Sequence, residues 1–268
     1  MAKVSVIISY YKALDSLQLI LKALNNQSAK EFEAIISEDD NNPETSLFLQ
    51  KNKGLYNFPI KHTCQQQDNG FRKNQMLNKS IKVAEGKTIV FIDGDCIPHK
   101  HFVKAYINQT IPNVMLKGRR VMLDEVTTNK IKNTSSLKYL ALFNILTSKS
   151  GKKKEAIYLK NKSLIFTLKD KGLLGCNWGI QKQHLLAING FDEDYIRAAV
   201  GEDTDIEWRL KKNGIGSKSM KNKAIVYHLY HKKGYSAEGV EKNRELLREK
   251  QEANNFVCLN GLDTLSKS

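Results

Sequence analysis

Two aspartates separated by one glycine end the stretch KTIVFIDGDCIP, and this acidic pair is the residue pattern best suited to chemistry. Residues 88–92 are apolar and predict a short strand that runs directly into Asp93, Gly94 and Asp95. Residues two apart in an extended chain face the same way, so both carboxylates can project together. Hard cations such as Mg²⁺ and Mn²⁺ bind through one or two carboxylates plus substrate phosphates. The pair therefore indicates a binding site for a divalent cation that also binds phosphates.

A simpler interpretation of the acidic pair stays open, because Asp-Gly is also common in solvated turns. An EF-hand calcium loop is excluded. If Asp93 is its first position, Ile97, Pro98 and Lys104 stand at the fifth, sixth and twelfth positions. That loop needs an oxygen ligand, a glycine and a glutamate there.

Strand and helix patterns alternate along the first hundred residues. Apolar runs predict strands at residues 3–9, 32–37, 60–63 and 88–92, with helices at about 14–24, 44–53 and 68–84. This alternation predicts an α/β fold with a mostly parallel central sheet flanked by helices, in which ligands bind outside the carboxyl ends of the strands. The acidic residues at such ends are Glu38, Asp39, Asp93 and Asp95. Their shared location favours a metal or nucleotide site.

Composition is compatible with one large domain or with one domain and a small extension. The chain has 268 residues, of which 41% are hydrophobic, enough for a sizeable core. The cysteines are far apart in sequence, so we expect neither a zinc knuckle nor a redox dithiol, and a reducing cytoplasm fits best. The apolar run near the N-terminus is too short for a signal peptide or a membrane span.

The formal charge of +15, from 43 Lys and Arg against 28 Asp and Glu, calls for an acidic partner. Nucleic acid, an anionic membrane face and phosphate-bearing substrates are the candidates. Residues 149–171 are interleaved with apolar side chains and contain the lysines 149, 152, 153, 154, 160, 162, 169 and 171. Such a mixture suits an anionic membrane surface. A solvated basic loop is the open alternative.

Several segments together resemble family 2 glycosyltransferases of the GT-A (Rossmann-like) fold. They are VSVIISYY, the acidic end of the second strand with its following Pro-Glu-Thr, QDNGFRKNQMLNKSI and FIDGDC. The resemblance implies that DGD is the DxD motif, which holds a divalent cation, Mn²⁺ or Mg²⁺, against the diphosphate of a nucleotide sugar. The residues that it implies for the donor site are Tyr10, Glu38, Asp39, Arg72, Asp93 and Asp95.

One departure concerns the nucleotide base. The family usually has Asp-Asp-Gly-Ser after the second strand, where this chain has Glu-Asp-Asp-Asn at residues 38–41. Which of Glu38, Asp39 and Asp40 contacts the base is therefore open.

Residues 175–210, GCNWGIQKQHLLAINGFDEDYIRAAVGEDTDIEWRL, form the most distinctive run of the second half. Thr204 and Glu207 predict a capping box at a helix start, and the Asn-Gly at residues 213–214 ends that helix. On this interpretation the nearby acids are simply favoured by the helix dipole. The box, however, does not require Glu202 or Asp203.

The same run resembles the C-terminal part of galactosyltransferase and chondroitin-polymerase-like enzymes, in which Gly-Glu-Asp follows an Asn-Gly-Phe-Asp segment. The resemblance implies that Asp203 is the general base toward the acceptor hydroxyl and that Glu202 holds the acceptor. We expect Trp178 to form a wall for a sugar ring. The family's usual Trp-Gly-Gly before the glutamate is Ala-Val-Gly at residues 199–201.

Residues 224–231, AIVYHLYH, predict a strand with two histidines at its end. A histidine there is more often a surface residue than a ligand. Within the resemblance it completes the metal site opposite the DxD motif. We select His228 with Asp93 and Asp95 as metal ligands, keep His231 as the alternative, and expect a nitrogen ligand to favour Mn²⁺ over Mg²⁺.

The combined prediction is an inverting, metal-dependent glycosyltransferase that moves a sugar from a nucleotide sugar, expected to be UDP-linked, to a hydroxyl of a glycan or lipid-linked acceptor. We expect a GT-A domain over residues 1–230, with a nucleotide-sugar half (1–115), an acceptor half (116–230) and a helical extension (231–268). Bacterial cell-surface polysaccharide or lipopolysaccharide synthesis, in the cytoplasm or peripherally on the inner membrane face, is the expected setting. A nucleotidyltransferase acting on a sugar phosphate and a basic nucleic-acid-binding protein are the alternatives.

Overall fold

The chain folds into a mixed α/β structure whose parallel centre comes from its first hundred residues. The computed structural model describes residues 2–160, 171–198, 201–232, 234 and 236–266. The strands of these residues are β1 (Val4–Tyr10), β2 (Phe32–Glu38), β3 (Ile60–Cys64), β4 (Thr88–Asp93), β5 (Cys96–Pro98), β6 (Val114–Lys117), β7 (Arg119–Met122), β8 (Asn177–Gln181), β9 (Gly216–Ser219) and β10 (Ile225–His228).

Helices alternate with these strands and cover both faces of the sheet. They are α1 (Leu14–Asn25), α2 (Pro43–Lys51), α3 (Lys73–Val83), α4 (Phe102–Gln109), α5 (Glu125–Thr134), α6 (Leu142–Thr147), α7 (Lys182–Ala187), α8 (Glu202–Lys212) and α9 (Ala237–Glu252). Short 3₁₀ turns lie at Leu137–Leu140, Lys153–Ala156 and Thr264–Ser266.

These strands form two sheets. The larger has the order β3-β2-β1-β4-β8-β6-β9, and the smaller has the order β5-β10-β7. β1 pairs in parallel with β2 and β4, whereas β8 lies antiparallel between β4 and β6. The predicted mostly parallel sheet is confirmed, with an antiparallel strand at its middle.

The sequence of β1 explains its central position. Its side chains alternate between two buried clusters: Val6 and Ile8 pack with Leu17 and Ile20 of α1, whereas Ile7 packs on the other face. A strand buried on both faces needs the continuous β-branched run that this segment has.

The C-terminal helix docks on the body of the protein. Lys250 of α9 lies 2.5 Å from Asp192 and 2.6 Å from Asp194, and Asn243 donates to the carbonyl of Arg197. Leu247 is buried in this contact region. Helix α9 lies within residues 231–268, for which the sequence predicts a helical extension.

Candidate active site at the strand ends

The acidic residues predicted at strand ends meet at one edge of the large sheet. Tyr10 lies opposite Glu38 in the β1–β2 pair, and Ser9 lies opposite Asp93 in the β1–β4 pair. The amide of Gly94 then donates to the carbonyl of Ser9 at 2.6 Å. A Cβ at Gly94 would lie 2.9 Å from that oxygen, so glycine is needed for this approach.

Asp95, Cys96, His228 and His231 form a group that we call the histidine cluster. Antiparallel pairing of β5 with β10 sets Cys96 opposite His228. One carboxylate oxygen of Asp95 lies 3.4 Å from Nε2 of His228 and 2.9 Å from Nε2 of His231. Both histidines considered as ligands therefore reach the same carboxylate.

The two histidines differ in burial and in charge. His228 is 8% exposed, and burial lowers its pKa, so its ring is neutral at pH 7. His231 is half exposed, and its hydrogen bond to Asp95 raises its pKa to about 9. Burial raises the pKa of Asp95, but the hydrogen bonds from His231 and Cys96 and the nearby imidazole of His228 together outweigh this effect and leave the pKa below its usual value. Asp95 is consequently an ionised carboxylate beside one charged and one neutral imidazole.

The histidine cluster fits a divalent cation. Asp95, Cys96 and His228 each offer a ligand atom within 4.8 Å of the others. Burial raises the pKa of Cys96 well above its usual value, and its thiol donates to Asp95 at 3.2 Å. Since a protonated thiol is a poor ligand, the carboxylate of Asp95 and the imidazole of His228 are the suitable groups. An oxygen and nitrogen pair suits Mn²⁺ and, less well, Mg²⁺.

Asp93 belongs to a second group, the lysine cluster, which consists of Lys73, Asp93 and Glu202. The Lys73 side chain is 16% exposed, and its Nζ lies 3.1 Å from Asp93 and 2.8 Å from Glu202. Burial lowers the pKa of Lys73, but the two carboxylates raise it more, to well above its usual value. Lys73 is therefore a permanent cation that ties the end of β4 to the start of α8.

Lys73 is absent from the sequence-based predictions. The only local signal is its position directly after Arg72, in a segment already selected for its resemblance. Arg120 of β7 was missed in the same way. It is half-buried, and its guanidinium donates to Cys176 at 3.4 Å. Its positive charge disfavours the protonated form of both histidines, although Asp95 still raises the pKa of His231.

Asp203 lies in the first turn of α8, next to Glu202. Its carboxylate accepts from the amide of Gly175 and from the hydroxyl of Thr204, both at 3.3 Å. The helix starts after Gly201, whose φ of 124° is a conformation that favours glycine. Both acids thus stand at the positive end of the helix dipole.

The capping box predicted from Thr204 and Glu207 is wrong, because α8 begins earlier, at Glu202, and has no side-chain cap. Glu207 instead accepts from the amide of Leu173 at 2.7 Å and pairs with Lys117 at 3.1 Å. These contacts fasten the chain just before Gly175 to α8 and so help to position Asp203.

Two of the predicted donor contacts, Tyr10 and Glu38, have buried side chains. The hydroxyl of Tyr10 lies 3.1 Å from that of Thr45, and a carboxylate oxygen of Glu38 lies 2.6 Å from Nε2 of His62. The other Glu38 oxygen has no hydrogen-bond partner among the described residues. A buried unpaired oxygen is costly, so this atom is available to a ligand donor.

Asp39 and Arg72, also predicted for the donor, contact each other. Asp39 accepts from the backbone amide of Arg72 at 3.0 Å and from the side-chain amide of Gln65 at 2.8 Å. Burial raises the pKa of Asp39 to about 6. The guanidinium of Arg72 donates to the carbonyl of Phe71 at 2.8 Å.

The expected role of Trp178 as a wall for a sugar ring is wrong for this structure. Trp178 is 1% exposed and stacks on Phe91 with 4.5 Å between ring centroids. It borders a cavity of about 10 Å³ together with Lys73, Glu202 and Asp203, which is far too small for a sugar. Because β8 runs through the middle of the sheet, the indole is part of the core beneath the site.

Two family profiles match the sequence. The one described as glycosyl transferase family 2 covers residues 5–181, and the one described as the N-terminal domain of galactosyltransferase covers residues 156–232. A search of curated proteins found no match. The two profiles overlap at β8, which joins the halves that carry Asp93 and Asp203.

Solved glycosyltransferases of the GT-A fold share the architecture. S. aureus TarS 1–349 in complex with UDP is 19% identical, with a TM-score of 0.60 over 92% of this chain and 65% of that one. The mannosyltransferase PcManGT from Pyrobaculum calidifontis in complex with GDP-Man and Mn²⁺ is 14% identical, with a TM-score of 0.58 over 94% and 62% of the chains.

GalNAc-T7 with UDP, GalNAc and Mn²⁺ is 13% identical, with a TM-score of 0.62 over 93% of this chain and 48% of that one. The chain spans less than two thirds of the length of each of these proteins. The family 2 profile covers well over half of the sequence. The chain therefore belongs to glycosyl transferase family 2 and has the GT-A fold.

Proposed function

We propose that this member of family 2 is an inverting, metal-dependent glycosyltransferase that moves a sugar from a UDP-linked donor to a hydroxyl of a glycan or lipid-linked acceptor. The observation that supports it most is that two different clusters lie at the end of β4, one containing Asp93 and the other Asp95. The histidine cluster offers a carboxylate and a neutral imidazole to a cation, and Glu202 and Asp203 stand at the start of α8. TarS and GalNAc-T7 were solved with UDP, and PcManGT with a GDP sugar, which supports a nucleotide-sugar donor.

Asp95 and His228 would hold the cation, with Asp93 as the third predicted contact. When bound, a divalent cation at this position neutralises charge on the leaving diphosphate. Mn²⁺ accompanies nucleotide-sugar ligands in PcManGT and GalNAc-T7, which supports Mn²⁺ or Mg²⁺ here. The neutral ring of His228 is already in the protonation state that a ligand needs.

Asp203 is the proposed general base, and Glu202 the proposed acceptor contact. The amide of Gly175 and the hydroxyl of Thr204 hold the Asp203 carboxylate in place. An acceptor hydroxyl bonded to Asp203 gives up its proton as its oxygen attacks the anomeric carbon. Direct displacement from the opposite face inverts that carbon. Fixed orientation of donor and acceptor supplies much of the rate enhancement in such a step.

Tyr10, Glu38, Asp39 and Arg72 are the proposed contacts for the nucleotide. The buried unpaired oxygen of Glu38 and the ionisable carboxyl of Asp39 are the acceptors best suited to base or ribose donors. Arg72 adds a positive charge beside them. Arg120 adds a second one beside the histidine cluster, where phosphate oxygens would collect.

The proposed setting is bacterial cell-surface polysaccharide or lipopolysaccharide synthesis in the cytoplasm or at the inner face of the membrane. The basic residues 149–171 would face anionic lipid, and residues 161–170 of that segment lie outside the described residues. Among the helices described, none is long and apolar enough to cross a bilayer. We also propose the domain division at residues 115 and 230 as given above.

The nucleotidyltransferase and nucleic-acid alternatives lose their support. Membership of the family accounts for the acidic strand ends, and the second profile match spans Glu202 and Asp203, which neither alternative needs. The basic charge then requires no nucleic acid, because phosphates of the donor and a membrane surface provide anionic partners.

A panel of nucleotide sugars, each with and without Mn²⁺, tests the proposal. Thermal shift reports binding, and released nucleoside diphosphate reports turnover. We expect a UDP sugar to raise the melting temperature only when the cation is present. Equal shifts with EDTA, or release of pyrophosphate from a nucleoside triphosphate and a sugar phosphate, would contradict it.

A further inference from the structure

The short helix α6 presents apolar side chains to solvent. Leu142, Phe143 and Leu146 are 42%, 75% and 47% exposed, whereas Ile145 of the same helix is fully buried. Positions 142, 143 and 146 share one side of a helix, so the exposed side chains form one continuous stripe. Ile157, which follows the 3₁₀ turn Lys153–Ala156, is 37% exposed.

Exposed lysines lie in the chain segments that precede and follow this stripe. They are Lys138, Lys149, Lys152, Lys154 and Lys160. Between residues 135 and 160 the only acidic residue is Glu155, which is half-buried and lies 3.7 Å from Lys221. Lys153 donates to the carbonyl of Leu146 at 3.0 Å, so the basic turn is fixed to the end of α6. We call the stripe and these lysines the α6 face.

An apolar cavity of about 460 Å³ adjoins the α6 face. Leu142 borders both, and the cavity is further lined by Leu137, Leu140 and Tyr158. Two lysines, Lys100 and Lys138, also border it. A cavity with apolar walls and ammonium groups nearby suits a molecule with a hydrocarbon part and an anionic group.

We infer that the α6 face is the membrane-contacting surface of this protein and that its partner is a bilayer containing anionic phospholipid. Exposed leucine and phenylalanine gain free energy by entering the acyl boundary, and the lysines of the α6 face gain it from anionic headgroups. The charge also argues against a second copy of the chain on this face, because two such basic surfaces repel each other.

The α6 face is connected to the proposed active site through one strand. Gly151, between α6 and Lys152, exchanges two backbone hydrogen bonds with Met122 of β7, at 2.7 and 3.1 Å. Met122 in turn lies opposite His228 in the β7–β10 pair. The inference deepens the proposed membrane setting, and lipid binding itself needs no donor or cation, so it can succeed or fail independently of the proposed chemistry.

Vesicle co-sedimentation of the full chain, without donor or metal, tests the inference. We expect binding to phosphatidylcholine vesicles that contain phosphatidylglycerol, weak binding to phosphatidylcholine alone, and weakening with added salt. Replacing Lys149, Lys152 and Lys154 with Gln should weaken binding on the order of 100-fold, because each lysine near an anionic surface contributes about fivefold.

The variant L142S/F143S/L146S tests the apolar side chains of the α6 face. It should weaken vesicle binding by roughly 10- to 100-fold. The matched control L47S/L55S/L259S changes three exposed leucines elsewhere and should bind like the parent. For the lysines, K51Q/K53Q/K212Q makes the same change of charge at exposed positions away from the α6 face.

Three results would overturn the inference: equal binding to neutral and anionic vesicles, an equal loss in test and control variants, or no binding at all. Dimerisation that the serine variant abolishes, measured by sedimentation without vesicles, would assign the face to a second copy instead. Because the substituted side chains are exposed, the variants should melt within a few degrees of the parent, which shows that any lost binding is local.

Discussion

The histidine cluster and the lysine cluster hold carboxylates only two residues apart in the chain, yet they neutralise them with different chemistry. Asp95 faces two imidazoles, one of them neutral and buried. Asp93 faces the ammonium of Lys73, which it shares with Glu202. A neutral imidazole has a lone pair for a cation, whereas a protonated amine has none.

This difference shows that the two carboxylates of the DxD pair are not equivalent as ligands for a cation. A divalent cation can join Asp95 and His228 with little rearrangement. At Asp93 it must compete with Lys73, whose high pKa keeps it charged. Lys73 in turn pairs with Glu202, so Asp95 is directed to the proposed cation and Asp93 is linked to the proposed acceptor contact.

The largest expected effect is that of Asp95→Ala. If the cation depends on the histidine cluster, this change abolishes the Mn²⁺-dependent thermal shift and lowers transfer on the order of 10³-fold, because stabilising the leaving group is worth several kcal/mol. Titration of Mn²⁺ followed by thermal shift, with nucleoside diphosphate release as the second readout, measures both.

Asp68→Ala is the control for Asp95→Ala, since it removes a carboxylate from the loop before α3 and should leave the Mn²⁺ response unchanged. The proposed difference between the histidine cluster and the lysine cluster would be contradicted if Asp95→Ala kept the Mn²⁺ response and Asp93→Ala alone lost it. Asp93 would then be the main ligand.

The first half of the fold could be predicted because its signals are local. Strands β1, β2 and β4 are apolar runs that end in acids, and parallel strands bring such ends together whatever the exact register. His228 also closes an apolar run, but its grouping with Asp95 is implied by the resemblance and not by that pattern.

Lys73 and Trp178 could not be assigned in this way. The contact of Lys73 with Glu202 spans 129 residues of sequence and depends on how α3 and α8 lie against each other. Trp178 sits in a polar run typical of a binding loop, but the antiparallel insertion of β8 between β4 and β6 buries it. No local pattern specifies that insertion.

Asp203→Asn tests the acceptor side and should lower transfer by about 10²- to 10⁴-fold, the usual contribution of a general base. Asparagine keeps the shape and still accepts from the Gly175 amide. The thermal shift with UDP sugar and Mn²⁺ should therefore match the parent. Normal transfer by this variant would show that another group takes the proton.

Glu202→Gln is the companion to Asp203→Asn. We expect it to raise the acceptor KM more than it lowers kcat, because an acceptor contact contributes mainly to binding. An unchanged acceptor KM with a large loss of kcat would exchange the proposed roles of the two acids.

A comparison of the variants His228→Gln and His231→Gln identifies the nitrogen ligand of Mn²⁺. His228 is buried and fixed in β10, so its loss should weaken Mn²⁺ binding by roughly 100-fold, which is comparable to the loss of other groups essential to metal sites. The exposed His231 should matter only a few-fold. The reverse order would make His231 the ligand. Direct titration of Mn²⁺ by calorimetry separates the two.

Lys73→Met addresses the lysine cluster directly. Methionine fills similar space without charge, so Asp93 becomes free to share the cation, while Glu202 loses its partner. We expect Mn²⁺ to bind about tenfold more tightly and transfer to fall about tenfold. Lys73→Arg should restore both values toward the parent. Weaker Mn²⁺ binding in Lys73→Met would show that the lysine does not compete with the cation.

Asp39 also lies at the edge of the large sheet, but its hydrogen-bond donors are neutral. Substitution of Asp39 gives the smallest expected effect, which is a change in stability with pH. Burial raises its pKa to about 6, so the folded protein holds a proton that the unfolded chain releases near pH 4. The stability from this proton is full below pH 4 and is lost as pH rises through 6. Asp39→Asn should therefore gain stability relative to the parent by about 1–2 kcal/mol between pH 4.5 and 7.5, allowing for solvent screening. Urea unfolding at both pH values measures the difference. Asp68→Asn should show almost no change over this pH range, because the hydrogen bond from Lys12 lowers the pKa of Asp68 and the stability from its ionised form is lost only below about pH 4. An equally small change in both variants would mean that the neutral donors around Asp39 hold its ionised form.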